Sequence, residues 1–219
     1  MNIHHYRLPD CHQAKGLVIV IDVIRAFTTA AYAFSRGAQE IVFVKTPEDA
    51  FALHKEHPDW LLMGEVGAEK IPNFHFGNSP TEVFQHDLAG KTLIHRSTAG
   101  TQGVVGAINA ERMLVSSFVI AHATLDTIRA IAPETLSFVI TGSNNGDEDQ
   151  ALADYLEHSL EAPQDPTPYL ERVINSPNGQ YFGTKLFPVA DLDAAIAIDR
   201  FPFAIEVTKS PYGLTGRLV

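Results

Sequence analysis

Apolar residues along this chain fall into short β-branched runs that alternate with longer stretches in which they recur three and four positions apart. The first pattern predicts buried strands and the second amphipathic helices. "GLVIVID" (16–22) reads as a strand, and "VIRAFTTAAYAFSRG" (23–37) as an alanine-rich helix closed by Gly37. "EIVFV" (40–44) is the next strand. "TPEDAFALHKEH" (46–57) is a helix with Thr46 at its N-cap and Pro47 in first position. "WLLMGE" (60–65) predicts a strand ending on Glu65, and the Gly/Pro/Asn-rich stretch 66–80 is mostly loop.

The scheme then repeats. "KTLIHRS" (91–97) is a strand, "AGTQGVVGAINAER" (99–112) a glycine-opened helix and "MLVSSF" (113–118) a strand. A helix at 123–132, a strand at 136–142, a polar loop at 144–149 and a helix at 150–160 follow. Alternation at this spacing predicts an α/β layered fold, with a largely parallel or mixed sheet flanked by helices. Beyond residue 161 the chain is proline-punctuated and mainly helical, ending in one strand, "FAIEV" (203–207). This segment is too short for a domain of its own, so residues 1–219 are expected to form one domain with 161–219 as a C-terminal cap.

Composition narrows the partners. The 219 residues are 45% hydrophobic and 19% charged, with a net charge of -10. That field repels nucleic acid and anionic lipid, although a few local cations, amides or a metal can still hold a small anion. Cys11, the sole cysteine, excludes an internal disulfide and a Cys-rich zinc site. The first sixteen residues lack a signal-peptide pattern and the apolar run 17–21 is too short to span a bilayer, so a cytoplasmic protein is expected. A homodimer is expected on general grounds alone.

Ligands of open parallel sheets collect beyond the carboxyl ends of the strands, and polar groups stand at several of these ends. Asp22 is either an N-cap for the helix it precedes or a ligand for Mg²⁺, a hard cation that prefers carboxylate oxygens. Arg25, a cation at a helix N-terminus, opposes the macrodipole and so suggests an anionic partner. Ser79, Pro80 and Glu82 spell a capping box, which still leaves Asn78 and nearby amides able to meet an anion. The turn from Arg96 to Ala107 supplies small residues and helix amides suited to phosphate, or to close packing. Asp147, Glu148 and Asp149 either serve a helix dipole or add metal ligands. There is no Walker A loop, Gly-x-Ser-x-Gly elbow or metal-binding histidine pair; among the histidines, His95 before Arg96 stands at a strand end.

Taken in order, these segments resemble the 2-phosphosulfolactate phosphatase (ComB) family. The resemblance rests on "IDVIRAFTTA" (21–30), "GEVGAEKIPNFHFGNSP" (64–80), the turn Ser97–Thr98–Ala99–Gly100–Thr101, the pair Glu148–Asp149 and the late "SPNGQYFGTKLF" and "DAAIAIDRF". It implies an α/β fold and a Mg²⁺-dependent acid phosphatase that releases phosphate from 2-phosphosulfolactate on a route to coenzyme M. Ala99, Val66 and the strand end at Thr141–Ser143 depart from the family pattern, which points to a related phospho-acid as an equal candidate.

The resulting expectation is hydrolysis of a small anionic phosphomonoester at a Mg²⁺ site. Asp22, Glu65 and Asp149 would hold the metal, with Asp22 and Arg25 catalytic. Arg25, Lys70, Asn78, Ser97, Thr98, Gly100 and Thr101 would hold the substrate. Activated water and an aspartyl nucleophile both remain open. The rival is a non-catalytic anion-binding or regulatory protein on the same fold. A nucleotide-binding α/β domain is weaker still, since no Gly-x-Gly-x-x-Gly turn is present.

Overall fold

The computed structural model describes residues 1–142 and 146–219. Ser143 and Asn144, parts of the strand end and polar loop singled out above, lie outside the described residues together with Asn145. Among the described residues ten strands form one mixed sheet: β1 (Asn2–Arg7), β2 (Gly16–Ile21), β3 (Glu40–Phe43), β4 (Leu61–Val66), β5 (Glu69–Lys70), β6 (Thr92–Arg96), β7 (Ala110–Ser116), β8 (Thr135–Ile140), β9 (Ile205–Ser210) and β10 (Gly213–Leu218). The helices are α1 (Ala26–Ser35), α2 (Pro47–Glu56), α3 (Pro80–Phe84), α4 (Gly100–Gly106), α5 (Ala121–Ile131), α6 (Asp147–Glu161), α7 (Thr167–Asn175) and α8 (Val189–Ala195).

The spatial order is β1-β8-β2-β7-β9-β10-β3-β6-β4-β5. Strands β1, β8, β2 and β7 make one parallel block, and β3, β6 and β4 another. The hairpin β9–β10 joins them through three antiparallel pairings. The two blocks are therefore formally opposed, and in a flat sheet the ends of β2 and β6 would lie at opposite edges. Five pairings separate those strands. At about 20–25° of twist each, they accumulate roughly 100–125°, which turns the opposed block most of the way back. The strand ends consequently converge: a Cβ on Gly100, just after β6, would stand 2.7 Å from Oδ2 of Asp22, just after β2.

Helix α1 fills the concave face. Ala26, Phe27, Ala30 and Ala31 share one buried cluster with Val18, Val20, Val115 and Val139 from the first block and Ile41, Phe43, Met63 and Leu93 from the second. The alanines let this helix approach both blocks closely. The other face carries two separate clusters, one beneath α5, α6 and α7 around Ile19 and Phe138, and one beneath α2 around Leu62 and Ile94.

Several expectations are corrected. Residues 2–7, given no element from sequence, pair in register with β8. The helix read over 99–112 stops at Gly106, and Ala110–Arg112 belong to β7. The last part of the predicted cap reaches further in than a cap, because Ile205–Leu218 supply the two strands that join the halves of the sheet. The Thr46 capping box forms with Asp49 as its second member. At α3 the Ser79 half forms, but Glu82 Oε2 accepts from the Gly77 amide at 2.8 Å instead of closing the box on Ser79.

Gly64 shows how tightly β4 is seated beside β6. Its φ is +143°, and a Cβ there would meet the Arg96 carbonyl oxygen at 1.8 Å. Gly67, at φ +58°, faces open space. Gly64→Ala is expected to cost at least about 3 kcal/mol in urea unfolding and Gly67→Ala about 1 kcal/mol. Equal costs would contradict the close seating of the two strands.

Candidate active site

Strand β2 is buried along all six residues and delivers Asp22 into the interior. Asp22 serves the start of the helix it precedes. Its Oδ1 accepts the Ala26 amide at 2.9 Å, capping α1, while Oδ2 turns toward the α4 turn. Burial pushes its carboxyl up to about 7; the Ala26 and Gly100 amides work against that rise, and the charges of Glu65 and Glu148 add to it. Three residues on, Arg25 is 5% exposed and donates from Nη1 to Asp191 Oδ2 at 2.7 Å. Its guanidinium carbon lies 4.5 Å from the centre of the Phe187 ring.

Glu65 at the end of β4 acts first as a clamp. Its Oε1 accepts the Thr98 amide at 2.5 Å, and its Oε2 accepts the Thr98 hydroxyl at 2.8 Å and the Ala68 amide at 2.7 Å. Ser97 and Thr101 secure the same turn by bonding each other's backbone: Ser97 Oγ accepts the Thr101 amide and Thr101 Oγ1 accepts the Ser97 amide. These two residues are buried in the turn, whereas Thr98 and Ala99 line the cavity. Lys70 stands apart, with Nζ donating to the His75 carbonyl at 2.8 Å and lying 3.7 Å from Glu82.

Asn78 reaches the cavity with His95 behind it. His95 is fully buried, and burial pushes its imidazole down to about 3. The neutral ring places Nε2 3.3 Å from Asn78 Oδ1. With the proton on Nε2, it donates to that oxygen and leaves the Asn78 amide nitrogen for the cavity.

The first turn of α6 exchanges the roles of two acids: the sequence offers Asp147, Glu148 and Asp149 as possible metal ligands and the expectation falls on Asp149, but it is Glu148 that lines the cavity. Asp149 is committed to backbone: Oδ1 accepts the Val23 amide and Oδ2 the Gly142 amide, each at 2.7 Å. Burial, with Asp22 and Glu148 beside it, holds its carboxyl well above the usual range. Glu148 instead lines the cavity. Its Oε1 accepts from Asn178 at 2.6 Å, and its buried Oε2 has no hydrogen-bond partner among the described residues. Burial raises its carboxyl as well, opposed by the Asn178 bond. The first-turn position of Glu148 was visible in the sequence, but its orientation depends on Asn178, thirty residues away.

These side chains surround a cavity of about 350 Å³. Asp22, Glu65 and Glu148 supply carboxylates, Arg25 the cation and Asn78 an amide, while Ile24, Tyr181 and Phe187 supply apolar wall. The described residues include no preassembled cluster of three or more metal-ligating side chains. Magnesium commonly takes only one or two carboxylates and keeps water for its remaining positions. The unpartnered Glu148 oxygen and the proton-hungry Asp22 are donors of that kind, so the residues present fit such a cation. None of the described helices is long and apolar enough to cross a membrane.

A twisted α/β sheet thus gathers buried carboxylates, an arginine and an amide around one small cavity. Comparison with known proteins places that site in a family. A family model described as 2-phosphosulpholactate phosphatase matches residues 3–178. A Bacillus subtilis (strain 168) protein named "Probable 2-phosphosulfolactate phosphatase" is 36% identical over 159 residues, covering 72% of this chain and 68% of the relative. A Deinococcus radiodurans protein of the same name is 38% identical over 138 residues, 63% and 57% of the two chains. One from Carboxydothermus hydrogenoformans is 43% identical over 109 residues, 50% and 45%. The chain belongs to the 2-phosphosulfolactate phosphatase family.

Two buried groups set opposite pH trends for the metal-free fold. Asp22 has an ordinary value of 3.8 and ionises near 7 in the fold, so its burial costs stability progressively as pH rises between those values. His95 has an ordinary value of 6.5 and one of about 3 in the fold, so stability is lost as pH falls through that window. Glu148 and Asp149, whose carboxyls burial also raises, share the sign of the Asp22 trend, so Asp22→Asn removes only the part that Asp22 contributes. In chelator, urea unfolding is expected to show the variant level with wild type near the acid end of the Asp22 window and about 2–4 kcal/mol more stable one unit above its upper end. A variant no more stable than wild type under those alkaline conditions contradicts the buried-carboxylate assignment.

Proposed function

We propose that this protein is a Mg²⁺-dependent phosphatase that hydrolyses a small anionic phosphomonoester, 2-phosphosulfolactate or a related phospho-acid, to the alcohol and inorganic phosphate. The observation that carries this reading is that Asp22, Glu65, Glu148 and Arg25 line one cavity, with Glu148 Oε2 buried and without a hydrogen-bond partner among the described residues. Buried carboxylates that hold protons call for a cation, and the adjacent guanidinium calls for an anion. Family membership and the relatives' names support the phosphoester chemistry.

In this reading Asp22 and Glu148 would hold the magnesium, with Glu65 and Asp149 behind them keeping the α4 turn and Gly142, just after β8, in place. Bound there, the ion supplies charge neutralisation at the phosphoryl oxygens and activation of a water molecule. Arg25 binds phosphoryl oxygens and offsets the charge that builds on them. Asn78, oriented by His95, donates a second hydrogen bond. Ile24, Tyr181 and Phe187 exclude bulk water from one side of the cavity.

The test is phosphate release from a panel of small phosphomonoesters that includes 2-phosphosulfolactate and phospholactate, with Mg²⁺ and then with excess EDTA. Release is expected in Mg²⁺, is lost in EDTA, and falls by at least about 10²-fold in kcat/KM for Asp22→Asn. A folded protein that binds Mg²⁺ yet releases phosphate from none of the esters would overturn the proposal in favour of an anion-binding protein.

A further inference from the structure

We propose that Asp191 is the positioning residue that fixes the Arg25 guanidinium for anion binding; this rests on the cavity being a phosphomonoester site. Asp191 stands on α8, beyond the residues 3–178 matched by the family model, and is fully buried. Its two oxygens have different tasks. Oδ2 accepts from Arg25 Nη1 at 2.7 Å. Oδ1 accepts from the Ser79 hydroxyl at 2.9 Å, the Thr81 amide at 3.2 Å and the Thr81 hydroxyl at 2.5 Å. The carboxylate is thus pinned by the start of α3 and cannot swing with the arginine. Phe187 lies under the guanidinium, with the ring centre 4.5 Å from the guanidinium carbon. One edge of Arg25 is fixed by Asp191, one face is covered by Phe187, and the side chain lines the cavity beside Asp22. A preoriented guanidinium loses less rotamer freedom when it meets a phosphate.

This arrangement ties "GNSPTE" and the first turn of α8 to the site: Ser79 and Thr81 hold Asp191, and Asp191 holds Arg25. It also predicts the sign of a substitution. Asparagine offers one acceptor oxygen where Asp191 uses two. Three donors compete for the Oδ1 side and one for the Oδ2 side, so the amide oxygen stays with Ser79 and Thr81 and its NH₂ group faces Arg25. Electrostatics alone would predict the reverse outcome, since removing a nearby negative charge favours a bound anion.

The experiment measures inorganic phosphate as a competitive inhibitor, together with KM and kcat for the best ester, in the full chain with Mg²⁺. Wild type, Asp191→Asn, Arg25→Lys and the double variant are compared. Asp191→Asn is expected to weaken phosphate about tenfold and to raise KM more than it lowers kcat. The double variant should be no more than about twofold weaker than Arg25→Lys alone, because both changes remove the same interaction. Phe187→Leu, a change at a half-buried position, should weaken phosphate about threefold with an unchanged melting temperature, and it decides the matter if Asp191→Asn does not fold. Unchanged or tighter phosphate binding in the folded Asp191→Asn or Phe187→Leu protein, or losses that multiply in the double variant, would overturn the assignment. A wild-type protein that neither turns over an ester nor binds phosphate sinks the phosphatase reading and this assignment together, whereas an active wild type with an indifferent Asp191→Asn sinks only the latter.

Discussion

Everything around this site answers to one constraint: a concentration of negative charge buried at the end of β2. Asp22, Glu65, Glu148 and Asp149 are each at most 6% exposed. Removing ionised carboxylates from water is costly unless hydrogen bonds or opposite charges replace the solvent. The fold deals with them unequally. Glu65 and Asp149 are satisfied by backbone amides and so become struts. Asp22 is met by amides at the starts of α1 and α4, and Glu148 keeps one oxygen without a partner among the described residues. Among the described residues the one cation lining the cavity is Arg25, already paired with Asp191. Two under-compensated carboxylates beside one another are the physical reason to place a divalent cation there.

The rest of the architecture makes that concentration possible. Asp22 and Glu148 belong to the first parallel block of the sheet, and Glu65 and the α4 turn to the second. The C-terminal hairpin inserts between the blocks, and its three antiparallel pairings would separate the strand ends but for the accumulated twist. Helix α1 starts at the cavity and packs against both blocks. A change that loosens α1 or the β9–β10 hairpin therefore acts on the site as well as on stability.

The sequence carried the local signals well, and the long-range ones poorly. The strand ending on Asp22, the helix after it, the Glu65 strand end and the Ser97–Thr101 turn were legible because each is a contiguous pattern with its own punctuation. The residues of the turn were assigned to substrate, yet Ser97 and Thr101 spend their hydroxyls on each other, and nothing in spacing alone separates a ligand-facing hydroxyl from a turn-closing one. Lys70 reads as a substrate contact, but the fold turns it to His75 and Glu82. Asp191 was invisible for a different reason. Its role is defined by Arg25, 166 positions earlier, and by Ser79 and Thr81, and an aspartate in the first turn of a short helix has an ordinary dipole explanation. Strand β1 and β10 are alternating or glycine-containing edges of the pattern, so their pairing partners, and not their own apolarity, make them strands.

The claim at the centre of this account is that Asp22 and Glu148 together form a cation site. Calorimetric titration of Mg²⁺ into wild type and into Glu148→Gln, at a pH well above the Asp22 value, tests it most directly. The account predicts one saturable site in wild type, weakened at least about tenfold in the folded variant. Equal Mg²⁺ affinity in the two proteins, or no saturable binding to folded wild type, would contradict it.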